Sequence, residues 1–366
     1  MPYAPLPVAV LGGGRPGLAQ AARVADCPGL RLSAVIDPAD DVRERAAAQG
    51  LPVAADVDEA PPETRAAVIA THFAGHGALT EACAARGWPV LIARPLAASL
   101  RDGRRAVAAA EAAGIPLMVG HHRRLDPRVI AARTALAEGV LGRPVAVQSL
   151  WALRRTVPDA RELWRVDSGG GALLEVLAHE VDLLRHLMGD IAEVAAFVSQ
   201  GLHRGASGDV AAITLRFASG ALGTALLTDA AVAPWGWDAA PGGPEAAPSG
   251  ASPLRLFGDA GALTLPDLTL WRPAESAPSD AGTPPSPLSL PAPEADTLAA
   301  QMARFARVAR AEASPPCDGR DGLASLAAAL AVVESARCGR ARRPDPEATS
   351  DWERPDDAAA VPRSTV

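Results

Sequence analysis

The stretch VAVLGGGRPGLA (residues 8–19) narrows the possible folds more than any other. A short apolar strand runs through Gly12-x-Gly14-x-x-Gly17 directly into a helix. In such a turn Gly12 permits the sharp reversal, Gly14 lets a ligand approach the backbone, and Gly17 allows close helix–strand packing. The helix N-terminus behind it then faces an anion such as a pyrophosphate. Asp37 closes the next apolar run, 20 residues beyond Gly17. A carboxylate there can accept both hydroxyls of a ribose, so strand, turn, helix and acid together predict a dinucleotide site. Asp37 is followed by Pro38, with no adjacent basic residue to hold a 2′-phosphate, which favours NAD over NADP. An N-cap ahead of Asp40 is the other reading of Asp37.

The turn sits within a regular rhythm. Apolar runs at 7–13, 30–37, 66–71, 89–93 and 116–120 alternate with alanine-rich helical stretches at 16–25, 39–48, 75–86 and 99–113. Continuous apolar strands separated by helices predict a parallel sheet covered on both faces. After Gly120 the rhythm changes. A helix near 127–138, a strand at 144–155 and a helix near 172–188 precede strands at 191–199, 209–217 and 221–228. Ser219-Gly220 marks one hairpin turn, and Gly258, Asp259 and Gly261 mark a second within 254–265. Strands in series without crossover helices predict an antiparallel sheet. Segments 234–253 and 273–293 read as loops, and helices near 296–311 and 321–337 close the fold. The expected organisation is a dinucleotide-binding doubly wound unit over 1–122, an α+β unit over 123–340 with a large, mostly antiparallel open sheet, and a loose tail over 341–366.

Composition excludes several classes. A net charge of −7 gives no electrostatic grip on nucleic acid or an anionic membrane. The 4 cysteines are widely spaced without CxxC pairs, which argues against a zinc site or disulfide framework and fits a reducing, cytoplasmic setting. No apolar run reaches membrane-spanning length and the first residues lack a basic leader.

The chemistry concentrates in SGGGALLEVLAHEVDLLRHLMGD (168–190). Glu175 and His179 stand four apart on one helical face, with Asp182 three further on. A histidine oriented by a carboxylate moves a hydroxyl proton near neutral pH, although a satisfied core histidine with surface acids would read the same way. A second signal is Ala93-Arg94-Pro95, where an apolar strand ends on a permanent charge. His121 and His122, with Arg123 and Arg124, follow the fifth strand at the edge where such sheets bind ligands. Trp151, Arg155, Trp164 and Trp235 are candidates for sugar faces or carboxylates, and each tryptophan could equally pack the second unit. No residues have metal-ligand spacing.

Together these motifs resemble the glucose–fructose oxidoreductase / inositol dehydrogenase / MocA family. The likeness runs through GGGRPG, AAVIATHFAGH (66–76), VLIARPLA (90–97), MVGHHRRLDP (118–127) and GGGALLEVLAHEVDLLRHL (169–187). It implies a Rossmann domain and an open sheet whose outer face mediates dimers or tetramers. It also implies hydride transfer between nicotinamide and a secondary alcohol or ketone. By the resemblance, Gly12, Gly14, Arg15, Pro16, Gly17, Asp37, Thr71, His72, His76, Arg94, Pro95 and His122 hold the cofactor, with a cis peptide between Arg94 and Pro95. His179 matches the catalytic histidine. The substrate would meet Arg94, Arg123, Trp151, Arg155, Trp164, Glu175, His179 and Trp235.

The chain departs from the pattern in places. Ala93-Arg94-Pro95 replaces the family's Glu-Lys-Pro, Glu175 replaces its Asp, Leu177 its Gly, and His72-Phe73 its Pro-Asn. Arginine cannot exchange a proton at physiological pH, but it can polarise an oxygen or clamp a carboxylate. The reading is therefore an NAD-dependent oxidoreductase of a sugar, cyclitol or related polyhydroxy acid, with His179 as base, Glu175 orienting it and Arg94 as oxyanion partner. The alternatives are a dehydrogenase of a carboxylated cyclic dihydrodiol, or a dinucleotide-binding sensor that lost the chemistry with the lysine.

Overall fold

Strand β1 (Leu6–Leu11) lies inside the first sheet, with its last four residues buried. The computed structural model describes residues 4–153, 171–199, 210–233, 235–236, 252–273, 285–293 and 295–348, with the backbone alone for 171–175. Five more parallel strands join β1: β2 (Leu30–Ile36), β3 (Val53–Ala54), β4 (Ala66–Ile69), β5 (Val90–Ile92) and β6 (Leu117–Val119). Their order is β3-β2-β1-β4-β5-β6, so the chain reverses direction across the sheet between β1 and β4. Successive residues of a strand point to opposite faces, and two cores result. Ala9, Leu11, Ala67, Ile69, Val90 and Ile92 enter one, while Val8, Val10, Ala66, Val68 and Leu91 enter the other. That is why the strands read as unbroken apolar runs.

Helices α1 (Arg15–Asp26) and α2 (Asp40–Ala47) cover the second core; α3 (His76–Ala84) and α4 (Leu100–Ala113) cover the first. Then come α5 (Pro127–Ala137), β7 (Pro144–Ala152) and α6 (Gly171–Met188). The second sheet adds β8 (Ile191–Ser199), β9 (Val210–Phe217), β10 (Leu222–Thr228), β11 (Leu254–Gly258), β12 (Ala262–Leu265), β13 (Thr269–Arg272) and β14 (Ser286–Ser289). Its order is β14-β13-β12-β11-β7-β10-β9-β8, antiparallel except where β10 runs parallel to β7. Both expected hairpins form, and Gly220 turns the first with φ +88°.

Three short strands, β3, β13 and β14, escaped the sequence reading because two to four residues carry little apolar pattern. β3 has two residues, and β14 (SPLS) is fully exposed within the stretch read as a loop. Pro287 is tolerated there because the strand is an edge.

Helices α7 (Thr297–Val308) and α8 (Gly319–Cys338) close the chain but do not stay with the second sheet. α7 places Met302, Phe305, Ala306 and Val308 in the second core of the first sheet. α8 starts two residues earlier than the sequence pattern suggests, with Gly319 against Leu117 and Gly322 against Val119. Both glycines are needed for contact: a Cβ on Gly322 would lie 2.5 Å from Val119. A boundary at 122/123 thus separates the sheets but not the cores they share. The inner face of the second sheet rests on α6, whose residues 176–184 are all buried. Its outer face exposes Phe197, Leu222, Leu226, Phe257 and Trp271. The four cysteines are unbridged, and no helix among the described residues is long and apolar enough to cross a membrane.

Candidate active site

The turn after β1 is built by missing atoms. Gly12 has φ +104°, and a Cβ on it would fall 2.7 Å from the Ala70 carbonyl oxygen. A Cβ on Gly17 would lie 1.8 Å from the Gly12 carbonyl oxygen. α1 begins at Gly14 with no side-chain cap and a proline in its first turn, which leaves backbone N–H groups at its mouth for an anion. Gly14, Arg15 and Pro16 are exposed around that mouth. Thr71, at the carboxyl end of β4, borders Gly12. Asp37 Oδ2 accepts the Gly13 N–H at 2.8 Å and Oδ1 accepts that of Ala39 at 3.0 Å. The carboxylate is held over the turn with lone pairs to spare for a ribose. The residues present thus fit a dinucleotide.

The absence of a basic neighbour beside Asp37 needs correcting. Arg43, one turn into α2, donates from Nη1 to the carbonyls of Asp37 and Pro38 at 2.8 Å each. The helical return brings it to a place sequence adjacency does not reveal. Asp40 pairs with the same guanidinium.

The other half of the site gathers at the carboxyl ends of β5 and β6. The Arg94–Pro95 peptide is cis, and Arg94 is half-buried. His179 on α6 is buried; the His122 ring meets it edge-on at 5.2 Å between centroids and the His121 ring at 6.0 Å. Burial, and then the charges of Arg94 and Arg123, hold His179 well below the ordinary histidine pKa. It is therefore neutral at physiological pH. His122 Nδ1 shares a 2.8 Å hydrogen bond with Thr297 Oγ1, at the start of α7.

Beneath this lies a layer of paired charges. Arg123 Nη1 donates to Glu180 at 2.5 Å, and Glu180 accepts from Ser149 on β7 at 2.8 Å. Arg124 forks onto Asp182 at 2.9 and 2.6 Å, and also pairs with Asp321 of α8. Asp182 takes a further bond from Ser325 at 2.7 Å. His121 Nδ1 stands 3.4 Å from Asp182 Oδ2, beyond a good hydrogen bond. Burial pushes the His121 pKa down to about 4.

Several expected roles change. Arg123 is a buried strut to Glu180 and presents no open face to a substrate. Trp151 is 1% exposed in the core, so its ring cannot stack on a sugar. His76 does not face a ligand either: its Nδ1 lies 3.0 Å from the Pro95 carbonyl oxygen and its Nε2 3.2 Å from that of Thr71. It ties the turn after β4 to the turn after β5, and burial lowers its pKa to about 4. His72 caps the short turn 73–75, accepting from Ala74 N at 3.3 Å. Trp235 bridges to Ala152 with a partly exposed ring. The Glu175 side chain, Arg155 and Trp164 lie outside the described residues.

Sequence reasoning missed Asp182 as the partner of Arg124 and neighbour of His121, and Thr297 as the partner of His122. The one signal was the i, i+3 spacing of His179 and Asp182, which pointed to the wrong histidine. His121, Asp182 and Cys317 bring donor atoms within 4.8 Å of one another. They do not suit a dication, because Arg124 already occupies Asp182 and burial pushes the Cys317 thiol well up. A separate crevice of about 740 Å³, between Glu111, Leu117, Glu312 and Arg320, opens at the opposite edge of the first sheet.

A glycine turn at the switch point of a doubly wound sheet, facing a histidine–arginine cluster, defines a dinucleotide-binding oxidoreductase architecture. Residues 6–121 match the oxidoreductase family with NAD-binding Rossmann fold, and residues 129–264 match the GFO/IDH/MocA C-terminal domain. The chain is 30% identical over 290 residues to 1,5-anhydro-D-fructose reductase of Ensifer adhaerens, covering 76% of this chain and 80% of the relative. It is 27% identical over 336 residues to inositol 2-dehydrogenase of Rhizobium meliloti, covering 89% and 95%. An Agrobacterium radiobacter oxidoreductase solved with NAD+, L-tartaric acid and magnesium shares the fold, with a TM-score of 0.77 at 21% identity over 92% of this chain and 98% of that one. The protein belongs to the Gfo/Idh/MocA family of oxidoreductases.

Proposed function

We propose that this enzyme oxidises a secondary alcohol of a sugar, cyclitol or related polyhydroxy acid, or reduces the matching ketone, with NAD preferred over NADP. The observation that carries the reading is the meeting of neutral His179, Arg94 and His122 at the carboxyl edge of β5 and β6. Bound NAD supplies the hydride acceptor. His179 accepts the hydroxyl proton, and its low pKa keeps it available as a base below the usual histidine range. Arg94 stabilises the developing oxyanion, a role that needs charge and no exchangeable proton. A carboxylate on the substrate would suit Arg94 as well, since a guanidinium matches it bidentately. Asp37 repels a 2′-phosphate, while Asp40 occupies the Arg43 guanidinium that would otherwise attract one. The second copy expected on the exposed sheet face would form a dimer or tetramer, and the free cysteines suit the cytoplasm.

The test follows NADH formation and consumption over a panel of inositols, anhydro-sugars, aldoses and aldonic acids. His179→Ala should lower turnover by about 10²–10⁴-fold with NAD affinity kept. Turnover near wild type in that variant would shift the role to His122. Cofactor binding without hydride transfer to any panel member would favour the sensor reading. Tighter NADP than NAD binding by calorimetry would overturn the role of Asp37.

A further inference from the structure

Gln301 sits on α7, one turn after Thr297, so the two share a face. It is 2% exposed, and its Oε1 has no hydrogen-bond partner. Buried acceptors are almost always satisfied, so an orphan of this kind marks a place where something else supplies the donor. Its position is specific. A Cβ on Gly120, the residue after β6, would lie 3.2 Å from Gln301 Oε1, 3.0 Å from the Ile92 carbonyl oxygen and 3.6 Å from Ala93 Cα. The amide oxygen therefore packs close against Gly120, where a side chain would crowd it, between the ends of β5 and β6 and beside the Ala93-Arg94-Pro95 turn.

Sheet order says which end of a dinucleotide reaches that place. Asp37 on the β2 side takes the adenosine ribose, the glycine turn takes the pyrophosphate, and the chain reverses between β1 and β4. The nicotinamide half then lies over β4, β5 and β6. Nicotinamide carries a carboxamide, one donor group and one acceptor, and a glutamine side chain is its complement.

We propose that Gln301 is a cofactor-binding residue, its amide receiving the nicotinamide carboxamide across Gly120. This rests on the NAD-binding role of the first sheet, and the probes separate the two. Calorimetry on the full chain would compare NAD+, ADP-ribose (which lacks nicotinamide) and nicotinic acid adenine dinucleotide (which carries a carboxylate in place of the carboxamide). The wild type should bind NAD+ about ten-fold more tightly than the acid analogue. Gln301→Leu should bind NAD+ about ten-fold more weakly, lose that discrimination and keep ADP-ribose affinity. Equal loss for ADP-ribose would make Gln301 a packing residue, and unchanged NAD+ affinity would leave the orphan atom to a water; either overturns the proposal. If Gln301→Leu does not fold, equal wild-type affinity for NAD+ and the acid analogue overturns it alone. Failure of ADP-ribose to bind the wild type would defeat the dinucleotide site itself.

Discussion

The turn after β1 and the cluster beyond β5 and β6 lie at the same edge of one sheet, yet they are built on opposite principles. The turn works through what is missing: no Cβ at Gly12 or Gly17, and no cap on α1. Its parts lie within a dozen residues, and Asp37 reaches it from the neighbouring strand. The cluster works through what is present. Arg123, Arg124, Glu180 and Asp182 are all buried, and their pairing draws on the short 3₁₀ turn His122–Leu125, α6, β7 and α8. The turn therefore fails by added volume, and the cluster fails by lost charge. The contrast also bears on His179: burial, and then the charges of Arg94 and Arg123, keep this base neutral.

Four measurements would break or sharpen this comparison. The largest effect belongs to Asp182→Ala, which strips the Arg124 fork, Ser325 and His121 of their common acid. Breaking a buried ion pair from one side costs about 3–5 kcal/mol; a loss under about 1 kcal/mol in denaturant unfolding would mean the cluster is not held by charge. Next, Gly17→Ala forces a methyl against backbone that cannot rotate away. The cost should be about 3 kcal/mol, with loss of NADH binding, and a stable variant that still binds would show the turn is not set by volume.

The third measurement is stability against pH. His76 and His121 have folded pKa values of about 4, below the 6.5 of the unfolded chain. Their contribution is complete above pH 6.5 and is lost as the pH falls toward 4, because only the unfolded chain takes up the protons. Going from pH 7.5 to 6 should cost about 1.5 kcal/mol for the two together. A flat melting profile over that range would show that the two histidines titrate alike in the folded and the unfolded chain. The smallest effect is Gly14→Ala. Its nearest neighbour to a new Cβ is Pro16 at 3.8 Å and its φ of −65° is ordinary, so stability should stay within about 0.5 kcal/mol. Dinucleotide affinity should nevertheless fall, because the methyl projects at the mouth of α1. Unchanged affinity would move the pyrophosphate away from Gly14.

Legibility followed the same division. Strands β1, β2, β4, β5 and β6 and helices α1 to α4 could be read because each buries residues on both faces or one stripe, which leaves a periodic trace. β14 could not, since four exposed residues on an edge leave none. Within the site, Gly12, Gly17 and Asp37 were legible as a spaced motif, and His179 through its helix and the family resemblance. Trp151 and Arg123 were misread because tryptophan and arginine serve cores and ligands alike, and only burial separates the uses.

By itself, then, the sequence determined the doubly wound sheet, the glycine turn with its acid, and the helix carrying the histidine, because local geometry and periodic burial suffice for each. The tertiary structure alone decided that Asp182 serves Arg124 and Ser325, that Arg43 returns beneath Asp37, and that α7 brings Thr297 to His122. Thr297 lies 175 residues from His122 and Ser325 lies 143 from Asp182. Polar contacts across such separations depend on how two cores pack together, and packing leaves no periodic mark on a single chain.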